Sequence, residues 1–370
     1  MEKLGAITLS ECAFIGSITL SDGLTEIGEN AFRDCINLEN VVIPETVTKI
    51  GHGAFANSGL KSITLLDGRL TEIGKIAFYK CHNLESVVIP ETVTKIGPCA
   101  FAFSGLRSIT LLDGRLTEIG EKAFYKCRNL ESVVIPSSVT KIGPHAFEDS
   151  GLKSITLLDG QLTKIGDRAF YDCVNLENVV IPETVIKIGS FAFAWSGLKS
   201  ITLLDGRLTE IGERAFLYCG NIESIIIPNS VTKIGPGAFA QSGLKSITLP
   251  DELTEINNST FYNCRNLESM VIPKTVTKID YCAFAKSGLK SIILPYQPYQ
   301  SKGLTEIEES AFNECGNLET IVIPDSVTKI GPNAFAWSGL KSITLLDGRL
   351  TEIDKNAFRG CSNLVVNYRN

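Results

Sequence analysis

Histidine and tryptophan are almost absent from this chain: 3 of the first and 2 of the second in 370 residues. His52, His82 and His145 lie far apart and at two different positions of the repeat described below, so no imidazole pair is set out for a metal or a general base. No C-x-x-C occurs among the 11 cysteines, and no phosphate-loop or nucleophile-elbow motif is present. No catalytic, cofactor-binding or metal-binding residue is therefore assigned, and the chain reads as a non-enzyme. No apolar run approaches the ~18 residues needed to span a bilayer as a helix. Basic charge is not in excess either: 35 Lys and Arg stand against 41 Asp and Glu, a net charge of −6, which argues against a nucleic-acid partner. The opening "MEKLGAITLSECAF" has one Lys and an apolar stretch broken by Thr8, Ser10 and Glu11, a poor secretory leader. That leaves either cytosolic residence or a chain shown without its leader.

What the chain does have is itself, many times over. "LTEIG" or a near variant begins at Leu24, Leu70, Leu116, Leu162, Leu208, Leu253, Leu304 and Leu350, at intervals of 46 with one of 45 and one of 51. Each 46 divides into related halves of 23. The A half at 116–138 reads "LTEIGEKAFYKCRNLESVVIPSS"; the B half at 139–161 reads "VTKIGPHAFEDSGLKSITLLDGQ". Eight A and seven B halves follow a degraded leading unit at 1–23; the tandem array occupies 24–349 and the last unit 350–370, all expected to form one solenoid domain.

Within 116–138, Leu130, Val133 and Ile135 sit at fixed offsets, the last two alternating as a strand does. Pro136, and Asp-Gly in most B halves, are turn signals. Gly120 and its equivalents are expected at a bend with positive φ, and the Ala-Phe pair in one helical turn. A single half cannot stand alone. Its four or five large apolar side chains supply ~7–15 kcal/mol when buried, against ~1–2 kcal/mol per ordered residue; stacking on matching neighbours closes that gap.

The strand "L-x-x-V-x-I-P" joined to "V-T-x-I-G-x-x-A-F-x-x-C-x-x-L" resembles the BspA-type leucine-rich repeat family over roughly residues 24–364. The resemblance implies an α/β-type leucine-rich repeat solenoid, right-handed, with a parallel β-sheet on its concave face and short helical turns and loops on the other. It also implies a cell-surface or secreted adhesin that binds a host extracellular-matrix or cell-surface protein. An intracellular scaffold is the alternative, and no leader, anchor or sorting signal decides between them.

Stacking would place Glu39, Glu85, Glu131, Glu177, Glu223, Glu268 and Glu319 in a column interleaved with Lys61, Arg107, Lys153, Lys199, Lys245, Lys290 and Lys341, each acid between two bases. A second alternation runs through "TEI" and "TKI" and is broken by Lys164. Eight cysteines, from Cys35 to Cys361, form one A-half column, two strands or roughly 10 Å apart. That exceeds disulfide reach, so they read as small buried side chains and all eleven thiols are expected free. Cys12, Cys99 and Cys282 are strays.

The repeat relaxes just before each strand, where aromatic residues recur: Tyr79, Phe103, Tyr125, Tyr171, Trp195, Tyr218, Tyr262 and Trp337. Either they pack on the next coil or they line an exposed edge that binds a partner. Tyr296 and Tyr299 lie in "PYQPYQSKG", 295–303, which lengthens one B half by five residues. Asn257 and Asn258 each fit N-x-[ST], a glycosylation acceptor only in a eukaryotic secretory route.

Overall fold

The alternation in "SVVI" becomes a strand in which Val133 and Ile135 are buried while Ser132 and Val134 face out. This pattern recurs in a computed structural model of the chain, which describes residues 2–5, 16–296, 303–346 and 350–369. Each coil carries one such strand and one two-residue strand, such as Glu118–Ile119. Like strands of successive coils pair in parallel. The chain divides into two compact units, residues 1–185 and 186–370. In the first, short strands from Glu2–Leu4 to Lys164–Ile165 pair in chain order, and the long strands from Ser17–Thr19 to Asn178–Ile181 form a second ladder. The second unit repeats the plan, but its long strands resolve into shorter sets, Ser224–Ile226 with Ser246–Thr248 and Ser269–Val271 with Ser291–Ile293. Each unit is thus a parallel β-solenoid.

No helix occurs among the described residues, contrary to the helical turn expected at Ala-Phe. The coil at 74–81 shows why. Ala77, Tyr79 and Cys81 donate backbone N–H to the carbonyl three residues back (3.3, 3.2 and 3.3 Å). The intervening amides of Ile76, Phe78 and Lys80 donate instead to Pro98, Ala100 and Ala102 of the next coil (2.9, 2.7 and 2.9 Å). A helix would spend every amide within its own turn; this ribbon gives every second one to a neighbour. The geometry requires a left-handed residue on either side of the phenylalanine, here Ile76 (φ 49°) and Lys80 (φ 57°). Outside glycine such a residue costs about 1–2 kcal/mol, which the inter-coil hydrogen bonds offset.

Gly120 is required for a different reason from the one expected. Its φ is not positive, but a Cβ there would lie 2.6 Å from the Ile96 carbonyl oxygen and 2.8 Å from the Gly97 carbonyl carbon. The residue is bare because consecutive coils touch backbone to backbone.

Phenylalanine forms the axis of the core. In the first unit Phe32, Phe55, Phe78, Phe101, Phe124, Phe147 and Phe170 stack with centroids 5.0–5.4 Å apart, nearly parallel and fully buried. In the second unit the stack runs from Phe193 to Phe358. Such ring pairs add about 0.5–1.5 kcal/mol each beyond area burial.

The halves are not equivalent. Short strands keep a step of 23, Glu118 facing Lys141. Long strands alternate: Ser132 faces Ser154, 22 residues on, through four paired residues, whereas Ser108 faces Ser132, 24 residues on, and only that residue is in register. The cause lies in the loop before the strand, where A halves read Cys-x-Asn and B halves read Ser-Gly, one residue shorter.

This offset also corrects the charge column. Glu39–Lys61 (2.7 Å), Glu131–Lys153 (3.1 Å), Glu223–Lys245 (2.7 Å), Glu268–Lys290 (2.9 Å) and Glu319–Lys341 (2.6 Å) all lie across the close A-to-B step. Each of these acids holds one base rather than sitting between two, and such exposed pairs are worth little. The evenly spaced short strands behave as expected: Glu118 bridges Lys95 and Lys141 (3.6 and 3.7 Å) and Glu210 bridges Lys187 and Lys233 (3.0 and 3.2 Å). Burial pushes the Glu210 carboxyl up, but the hydrogen bonds from both lysines outweigh it and hold the group below the usual carboxylate range. Lys164 faces Lys141 and breaks the alternation.

Candidate functional site

The eight aromatic candidates follow the core phenylalanine by one residue or by two. In the first unit the structure brings three together: Phe103 meets Tyr79 and Tyr125 edge-on, with centroids at 5.6 and 5.3 Å. Lys80 lies over Tyr79 at 5.5 Å, and Lys126 over both Phe103 and Tyr125 at 5.6 and 5.2 Å. Tyr171 stands apart under Arg168, at 5.1 Å. In the second unit Trp195 stacks on Tyr218 at 3.8 Å, and both remain exposed, 44% and 37%. Trp337 is 59% exposed and lies close over Gly360, where a Cβ would meet its ring at 2.4 Å. Tyr262 is half-buried and joins neither cluster. Tyr296 is half exposed, and Tyr299 lies outside the described residues.

Four of these residues occupy left-handed backbone: Phe103 (φ 60°), Trp195 (φ 62°), Tyr218 (φ 59°) and Trp337 (φ 57°). Other coils fill the same place with Asn57, Asp149 or Asn263, which tolerate it, and equally with Lys80, Gln241 or Glu314, which have no such preference. The inter-coil bond from each of these amides, such as Trp195 N–H to the Leu217 carbonyl oxygen (2.8 Å), offsets the backbone cost as it does in every coil. What sets Trp195, Tyr218 and Trp337 apart is the large ring left exposed there.

The sequence did not reveal the outward face of the long strands in the second unit. Val271, Ile293 and Val322 follow one another on three successive coils, each at least half exposed, because Ile293 replaces the threonine that B halves such as Thr248 carry there. Ile293 joins two depressions, of about 570 and 530 Å³; Val271 and Met270 line the first, Tyr296, Val322 and Arg369 the second. The Thr-to-Ile exchange was the available signal. The acceptor sequences are engaged locally: Asn257 Nδ2 donates to the Ile234 carbonyl oxygen (2.9 Å), and Asn258 Oδ1 accepts from the Ser259 hydroxyl (2.6 Å).

The cysteine column is buried and bonded. Cys127 Sγ donates to the Phe101 carbonyl oxygen (3.1 Å), and the Ser104 hydroxyl touches the same sulfur at 3.4 Å. Burial pushes the Cys127, Cys173 and Cys219 thiols up to about 12, and those of Cys81, Cys264 and Cys315 to about 11. These are inert thiols. The expectation of eleven free thiols is overturned at Cys35, which is disulfide-bonded. Its column mates are free, so the spacing argument holds within the column and the partner lies outside it. Cys12 lies outside the described residues. Among the described residues no three His, Cys, Asp or Glu side chains are grouped to hold a metal ion, and no helix is long and apolar enough to cross a membrane.

Each unit is a solenoid of regular coils that vary notably along the loop edge and on the outward face of the long strands. The chain belongs to the BspA-type leucine-rich repeat family, whose model matches residues 2–117, 117–243, 209–300 and 299–367. A leucine-rich repeat protein from Bacteroides ovatus is similar in structure, with a TM-score of 0.69 and 26% identity over 96% of this chain and 92% of that one. One from Eubacterium ventriosum is similar at a TM-score of 0.50 and 26% identity, over 90% and 85%. No curated protein matches the chain.

Proposed function

We propose that this protein is a non-enzymatic protein-binding solenoid displayed outside the cell, an adhesin whose partner is a host matrix or cell-surface protein. The observation that carries the binding reading is the exposed aromatic edge on left-handed backbone, above all Trp195, Tyr218 and Trp337. Tryptophan and tyrosine dominate binding hot spots because they offer large, stiff, amphipathic contact area. The disulfide at Cys35 supports residence in an oxidising compartment over an intracellular scaffold. The adhesive role rests on the family.

The test is capture from an extracellular-matrix extract, with the retained protein identified by mass spectrometry. The variant carries Trp195→Asn and Trp337→Asn, because asparagine accepts left-handed backbone. At least tenfold less partner should be retained, with the thermal midpoint unchanged or higher. Equal retention by both proteins, or a large drop in the midpoint, contradicts the reading.

A further inference from the structure

The shorter loop of each B half leaves a notch between the loops of the two A halves that flank it. In the first unit one notch has a floor at the Ser104–Gly105 step and walls at His82 and Arg128, with Phe103, Lys126 and Asn129 completing it. It encloses about 330 Å³, at the small end of ligand pockets. The matching notch in the second unit, about 380 Å³, has Arg265 and Gly316 as walls, and its Lys286 is paired with Glu314 at 3.7 Å. It has no ring. The first notch differs in carrying Phe103, at a position where an otherwise copied repeat varies, while the charge balance is alike: Lys126 and Arg128 have Asp149 beside them, as Arg265 and Lys286 have Glu314.

Four features of the first notch point to one chemistry. Its lining carries Lys126, Arg128 and His82, and the one acid that serves both Lys126 (3.9 Å) and Arg128, Asp149, stands outside the lining. Asp149 lies beyond it and receives Arg128 Nε and Nη2 (3.2 and 2.7 Å), which fixes the guanidinium plane in advance; a second edge of that fork suits a carboxylate or sulfate. Phe103 supplies an apolar ring within the same small space, held between Tyr79 and Tyr125. Asn129 Nδ2 reaches the Gly105 carbonyl oxygen at 3.5 Å, so an amide with a second N–H stands at the floor. Anion, apolar ring face and hydroxyl partners side by side describe an acidic sugar better than an acidic side chain. The sugar ring presents all three rigidly, whereas a Glu or Asp must also give up rotamer freedom.

We propose that the notch between His82 and Arg128 binds an acidic sugar unit, sulfated or carboxylated, of a polysaccharide. This site shares no residue with the Trp195 and Trp337 edge and does not depend on a protein partner. The test is calorimetric titration of the full chain with a heparin-derived hexasaccharide at physiological ionic strength, where diffuse charge attraction is screened. The controls are the same saccharide made neutral by desulfation and carboxyl reduction, and hexaglutamate. The hexasaccharide should bind saturably and the neutral form should not. Arg128→Gln and Phe103→Asn should each weaken binding at least tenfold; the second keeps the backbone relaxed, so it reads the ring alone. Arg265→Gln, and the combined Trp195→Asn and Trp337→Asn, should leave the affinity unchanged. Absence of saturable binding, wild-type affinity in both notch variants, or equal affinity for hexaglutamate would each overturn the proposal.

Discussion

Phe124→Ala should lower the unfolding free energy by about 3–5 kcal/mol, the range for emptying a buried phenylalanine site. Phe124 is fully buried and lies between Phe101 and Phe147, at 5.4 and 5.1 Å with rings within 10° of parallel. Truncation removes both ring contacts and leaves a cavity that neighbouring coils cannot collapse into, because their backbones are already bonded to one another through Phe124 N–H to Ala146 and Phe101 N–H to Ala123. Phe358, the last ring of the stack, is only half-buried, and its truncation should cost clearly less. Urea unfolding followed by circular dichroism reads both. Equal small losses would show that the ladder is not the axis of stability.

Gly105→Ala should be comparably damaging, by about 3 kcal/mol, through overpacking. The new Cβ would lie 1.9 Å from the His82 carbonyl oxygen and 2.7 Å from its carbon, both backbone atoms. Nothing flexible can yield, and separating the coils would break the Gly105 N–H bond to the Cys81 carbonyl oxygen (3.0 Å). Gly220→Ala is the internal control. No atom lies within 4 Å of its Cβ and its φ is not positive, so the change should fall within about 0.5 kcal/mol of neutral. Similar unfolding midpoints for the two variants would contradict the packing described here.

Much of this architecture is legible in the letters. Val133 and Ile135 point inward and Ser132 and Val134 outward, as their alternation requires, because a strand has a fixed period of two. The spacing of the cysteine column correctly forbids bonds within it. The loop ribbon was hidden because its left-handed positions hold Ile76, Lys80, Arg168 and Trp195, residues whose identity does not announce that conformation. Glycine announces it at Gly53, Gly237 and Gly360 (φ 60°, 61° and 80°), but most glycines sit instead where coils touch, as at Gly120. The division of the aromatic edge into a packed cluster at Phe103 and exposed rings at Trp195 and Trp337 depends on what each neighbouring coil presents, 22 to 24 residues away. The Ser-Gly shortening of the B halves was visible in the sequence; its consequences, the alternating register and the notch, appear only once the coils are stacked.

Thiol accessibility tests the stacked-coil account most directly. In native buffer at pH 8, a thiol-specific chromogenic reagent should leave the six buried cysteines Cys81, Cys127, Cys173, Cys219, Cys264 and Cys315 unmodified for as long as the fold persists. Cys99, Cys282 and Cys361, which are half-buried, should react slowly. Denaturant without reductant should bring the count to nine, since the bonded Cys35 takes a second cysteine with it, and prior reduction should raise it to eleven. Rapid modification of the six in the native protein would mean that the coils do not close over one another.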